Sequence, residues 1–99
     1  MTTNYSSMTP EQIAQYLQRY KAYAVIGVLH VTARHQEFRG KINLGLAVSG
    51  RNMRNSYLAR PVESALAMGA ISEWRDGAAF CYSITERGRE ILDALKTVA

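Results

Sequence analysis

Arginine and asparagine are the side chains best placed for chemistry in this chain, and the chemistry is recognition. Between Arg34 and Arg60 stand six cations, Arg34, Arg39, Lys41, Arg51, Arg54 and Arg60, against one acid, Glu37. That block carries a local net charge of +5, whereas residues 1–33 carry +1 and residues 61–99 carry −2. A guanidinium can bond a guanine edge through two parallel hydrogen bonds, and an asparagine amide can do the same with adenine. Asn52 and Asn55 interleave with Arg51 and Arg54. A clustered excess of cations is the footprint of a polyanion partner, and a merely solvated basic surface has the same composition.

Catalytic and metal-binding side chains show no comparable grouping. His30 and His35 are the only histidines. Five residues apart on a helix they point in different directions, and no acidic or thiol cluster accompanies them. Structural roles are expected for both. Cys81 is the one cysteine, which excludes an intramolecular disulfide and any Cys-rich zinc or iron–sulfur site. Between Phe80 and Tyr82 it reads as a buried or half-buried structural thiol. No Ser-His-Asp set, phosphate-cradling glycine loop or paired-carboxylate spacing occurs. The expectation is a protein that is not an enzyme and takes no metal and no cofactor.

Ninety-nine residues, 47% of them hydrophobic, suit one small globular domain. The opening residues, MTTNYSSMTPEQ, lack the basic start and apolar core of a signal peptide. The longest apolar run, Ala22 to Val31 interrupted by His30, is too short to span a bilayer. A cytoplasmic, nucleoid-associated location without membrane contact is expected.

These side chains need elements to position them. Residues 1–8 read as a disordered polar tail and residues 9–99 as a single domain. Thr9-Pro10-Glu11-Gln12 is a helix start: Thr9 can cap, Pro10 suits the first helical position, and Gln12 completes a capping box. Ile13, Tyr16, Leu17 and Tyr20 follow at helical spacing. A second helix is expected from about Ala22 to His35, buried on more than one side, either continuous with the first or separate. Gln36 to Lys41 reads as a polar loop turning at Gly40. A short helix should follow through Ile42, Leu44, Leu46 and Val48, closed by Gly50. The next opens at Tyr57 or Leu58, turns Leu58, Val62, Ala65, Leu66 and Met68 inward, and ends at Gly69. Pro61 is tolerated only near a first turn, so this helix should begin late or kink. A strand from Ala70 to Arg75, a hairpin turn at Asp76-Gly77 and a strand from Ala79 to Ile84 come next. Thr85 then caps a last helix with Ile91, Leu92 and Leu95 as its apolar stripe.

This order resembles bacterial winged helix-turn-helix regulators of the MarR-like and PadR-like kind. The resemblance covers roughly Ala24 to Leu95. Ala65-x-x-Met68-Gly69-Ala70-Ile71 is similar to the end of their recognition helix. Tyr82-Ser83-Ile84-Thr85, followed by Gly88-Arg89, is similar to the return of their wing into a helix. The resemblance implies an α+β, mostly α fold: a winged helix with a two-stranded wing hairpin and flanking N- and C-terminal helices. It also implies double-stranded DNA as partner, with the second turn helix in the major groove. Arg51, Asn52, Arg54, Asn55, Ser56, Tyr57 and Arg60 would then face the groove. Arg39 and Lys41 would meet phosphates, and Arg75 would lie beside the wing tip, whose Asp76 phosphates would repel.

Two functions fit. One is a sequence-specific, duplex-DNA-binding transcriptional regulator. The other is a winged helix used for protein contact, as a small inhibitor or assembly factor, possibly of a mobile element. A homodimer is expected from Ile13, Tyr16, Leu17 and Tyr20 on the first helix and Ile91, Leu92 and Leu95 on the last. The alternative is that both stripes fold onto the chain's own core. Tyr16, Tyr20 and Tyr23 are expected to serve core or dimer packing.

Overall fold

A computed structural model describes residues 5–35, 37–49 and 55–97. They form an α+β, mostly helical arrangement. A 3-10 turn, Tyr5–Ser7, precedes α1 (Pro10–Arg19) and α2 (Tyr23–Arg34). Then come β1 (Phe38–Arg39), α3 (Lys41–Ser49), α4 (Asn55–Ala67), β2 (Ile71–Asp76), β3 (Ala79–Ile84) and α5 (Glu86–Thr97). No helix among the described residues is long and apolar enough to cross a membrane.

The capping box at the start of α1 is present: the Gln12 amide donates to Thr9 Oγ1 at 3.2 Å, and the Thr9 amide donates to Gln12 Oε1 at 2.9 Å. α1 does not run into α2. The Ala22 amide donates to the Leu17 carbonyl and the Lys21 amide to that of Gln18, the paired bonds of a Schellman motif. Lys21 takes the left-handed conformation, φ 53°, that such a motif demands at this position. α4 ends in the same way, with Ala70 donating to Ala65, Gly69 donating to Leu66 and Gly69 at φ 71°.

α1 packs on α5, and most of the residues expected at a dimer face lie in this contact within the chain. Ile13, Leu17 and Ile91 are fully buried, and Leu92 and Leu95 are buried too. Of the remaining two, Tyr16 is half-buried, with its ring centroid 6.0 Å from that of Tyr5 and 4.8 Å from that of Tyr20. Tyr20 is 63% exposed. Residues 5–8, expected as part of a disordered tail, are tied to the rest of the chain. Arg87 donates to the Tyr5 and Met8 carbonyls at 2.7 and 2.8 Å, and to the Met68 carbonyl at 2.8 Å. One guanidinium thus ties the 3-10 turn and Met8 to the end of α4. Residues 1–4 lie outside the described residues.

α2 closes the interior with Val28, Leu29 and Thr32. The Thr32 hydroxyl lies within hydrogen-bond distance of the Val28 and Leu29 carbonyls, so it adds no unsatisfied polar group to the core. α3 meets α4 closely at Gly45, where a Cβ would collide with the Leu58 backbone. α5 sits equally close at Gly88, where a Cβ would strike the Ala70 carbonyl.

The sheet is antiparallel and three-stranded, in the order β1-β3-β2. The expected two-stranded sheet is corrected. Phe38 and Arg39, read as loop, pair with Tyr82 and Cys81. Phe38 shares the inner face with Tyr82, Ile71 and Ile84, so it extends the core under the strands. The turn also shifts by one residue. Asp76 pairs with Ala79, leaving Gly77-Ala78 as the two-residue loop. Gly77 has φ 65° and Ala78 is not among the positive-φ residues, which fits a type II′ turn, with glycine first.

Candidate nucleic-acid interface

The described cations of the basic block have different surroundings. Arg51, Asn52 and Arg54 fall between α3 and α4 in sequence, outside the described residues. Asn55, Ser56 and Tyr57 open α4, and Arg60 is exposed one turn further on. α4 directs Leu58, Val62, Ala65 and Met68 into the core, which fixes its remaining face toward solvent. The helix runs through Pro61, with six helical residues before it, so the expected late start is not found. Proline has no N–H to offer the Tyr57 carbonyl, and one bond of the helical ladder is therefore not made.

Arg39 and Lys41 are held by acids of the same chain. Arg39 Nη1 lies 2.6 Å from Asp76 Oδ2, and Nη2 donates to the Asp76 carbonyl at 3.2 Å. The hydrogen bond and charge of Asp76 raise the guanidinium further above its already high range. This clamp crosses the sheet from β1 to the end of β2. Asp76, read as an acid that would repel phosphates, is thereby neutralised by the cation read as a phosphate contact.

Lys41 opens α3. Its Nζ lies 3.9 Å from a carboxylate oxygen of Glu63 on α4 and 3.9 Å from one of Glu73 on β2. Glu73 in turn accepts the Tyr82 hydroxyl at 2.5 Å. Burial, and then this hydrogen bond, hold the Tyr82 hydroxyl well above the usual phenol range. It is a hydrogen-bond donor at any physiological pH. Lys41, Glu63, Glu73 and Tyr82 thus link α3, α4, β2 and β3 by polar contacts around a fully buried aromatic ring.

Arg34 faces another direction. With His30, Arg89, Lys96 and Leu92 it lines an open cleft of about 350 Å³ between α2 and α5. Arg75 is exposed on β2 with its guanidinium carbon 5.2 Å from the centroid of Phe80, its cross-strand neighbour. Cys81 is buried, opposite Trp74 on one side and Arg39 on the other.

Of the ten residues expected to contact DNA, four have a described side chain, Arg39, Lys41, Arg60 and Arg75. Arg39 and Lys41 are paired with acids of the same chain. Sequence reasoning missed the Arg39–Asp76 clamp because its partners are 37 residues apart. It also missed Arg87, whose three acceptors are backbone carbonyls and leave no trace in residue type.

No protein-family model matches the chain. Comparison with curated proteins and with solved structures gives no match either.

Proposed function

We propose that the protein is a sequence-specific, duplex-DNA-binding transcriptional regulator of the winged helix-turn-helix type. In this reading α3 and α4 are the helix-turn-helix, α4 enters the major groove, and the β2–β3 hairpin is the wing. The observation that carries it is the close α3–α4 approach at Gly45, with Arg60 exposed on α4 and a hairpin after it whose first strand and turn are exposed from Ser72 to Ala78. Such a helix reads base edges with its N-terminal residues. The sequence places Arg51, Asn52, Arg54, Asn55, Ser56 and Tyr57 at that end. A homodimer would set two of these helices on adjacent half-sites.

The clamp bears on this reading through a single variant. Asp76→Asn releases the Arg39 guanidinium from its carboxylate. Affinity for duplex DNA is expected to rise a few-fold, and the salt dependence to steepen by up to about one counterion. Titration at several salt concentrations measures both. Unchanged affinity and slope would show that Arg39 does not reach DNA.

A second reading is a protein-contact module, and one observation favours it: Arg39 and Lys41 are occupied by acids of their own chain. Selection of bound fragments from random duplex DNA separates the two. A regulator enriches a recurrent motif, whereas a protein-contact module returns the starting pool.

A further inference from the structure

Among the described residues, β2 is an outer strand of the sheet, with β3 as its only strand neighbour. Every residue from Ser72 to Ala78 is exposed. The free edge of such a strand presents unpaired N–H and C=O groups that can accept a further strand. Its side chains decide which one. Along β2 stand Ser72, Glu73, Trp74, Arg75 and Asp76, and Trp74 is a large apolar side chain left 37% exposed.

Consider a second copy of β2 laid antiparallel against the first about a two-fold axis. A regular ladder needs outward-facing residues opposite outward-facing ones, so the axis must pass through a residue and not between two. Centring on Glu73 sets two carboxylates face to face, and centring on Arg75 does the same with two guanidiniums. Centring on Trp74 sets Glu73 of each copy against Arg75 of the other, twice. It also brings the two indoles together and places Ser72 opposite Asp76. Opposite charges and aromatic pairs stabilise directly opposed positions, and like charges destabilise them. One register is thus favoured and its neighbours are excluded. Glu73 and Arg75 share one face of the sheet, where Glu73 is bonded to Tyr82 and lies 3.9 Å from Lys41 Nζ and Arg75 lies over Phe80, so each turns from these contacts to meet its opposite number in the second copy.

We propose that β2 is a self-pairing edge, through which two copies of the chain join antiparallel about Trp74 into one continuous sheet. This inference needs no nucleic acid and does not rest on the DNA reading. A six-residue strand pair falls short of the roughly 800 Å² per partner typical of stable interfaces, so the dimer is weak and concentration-dependent.

Trp74 is the only tryptophan, so its emission reports the contact directly. The test is sedimentation and tryptophan fluorescence of the full chain from about 1 μM to about 500 μM, without DNA. The expected result is a monomer–dimer transition accompanied by a blue shift of Trp74. A monomer with invariant emission throughout, or a dimer whose formation leaves the emission unchanged, overturns the proposal. Charge reversal then tests the register. Arg75→Glu and Glu73→Arg are each expected to weaken self-association by about tenfold or more, because two attractive pairs become repulsive. Mixed together, the two variants are expected to dimerise, since each supplies the charge the other needs. Failure of the mixture to associate while both variants remain folded overturns the register. Glu73→Arg loses the Tyr82 hydrogen bond, so thermal melting accompanies it. If that variant does not fold, Arg75→Glu alone decides: association equal to that of the parent overturns the proposal.

Discussion

Leu17→Glu is expected to unfold the protein, not to split a dimer. Leu17 is fully buried on α1, within the same core as Ile91 and Leu95 of α5. Removing a buried leucine side chain to alanine costs about 2–5 kcal/mol through lost transfer energy and the cavity left behind. A carboxylate in its place adds a desolvation cost of several kcal/mol more, or a proton taken up to avoid it. A domain of this size has only about 5–15 kcal/mol of stability in all. Far-UV circular dichroism should show lost helix at room temperature, without a cooperative melt. Tyr20→Glu is the control, because Tyr20 is 63% exposed and exposed substitutions usually change stability by no more than about 0.5 kcal/mol. A folded Leu17→Glu protein that melts cooperatively near the parent would refute the α1–α5 packing and restore these helices as a dimer face.

Replacing Arg51, Arg54 and Arg60 together with alanine is expected to lower affinity for duplex DNA by about a hundredfold or more. A base-reading arginine contributes about 1–3 kcal/mol of discrimination, and a phosphate-contacting one about one unit of salt slope. Arg60 is exposed on α4, so its loss removes no core packing. Fluorescence anisotropy with a labelled duplex measures the affinity, and the thermal midpoint checks that the fold is retained. Parental affinity in the triple variant would move the interface away from the start of α4.

Features set by a few neighbouring residues were legible in the sequence. Thr9 and Gln12 announce the start of α1 because a capping box needs only residues three apart. The end of α4 was legible because Gly69 occupies the left-handed position of its Schellman motif. The same motif ends α1, but there the position is held by Lys21, and nothing in the residue type marks it. The hairpin was legible, while its turn was misplaced by one residue: Asp76 belongs to the β2 ladder, with Gly77 first in the loop. β1 was not legible because two residues show no alternation. It exists only because β3 offers an edge for Phe38 and Arg39.

The candidate site was legible as charge and not as geometry. A run of cations in sequence says nothing of where each side chain turns. Arg34 lines a cleft against α5, Arg39 reaches Asp76, and Lys41 lies between Glu63 and Glu73. The amphipathic stripes of α1 and α5 raised the converse difficulty. A stripe shows that a helix face must be covered, and only the tertiary structure shows that the two stripes cover each other.

The central claim is that the protein binds duplex DNA, and the salt dependence of that binding tests it most directly. Each phosphate neutralised releases counterions, so log Kobs falls linearly with log salt at about 0.9 per contact. Arg51, Arg54, Arg60 and Arg75 are the cations expected to act in this way. The account therefore predicts a slope of about −3 to −4 for the parent chain on a duplex of mixed sequence. Absence of binding at low salt, or a slope near zero, would contradict it.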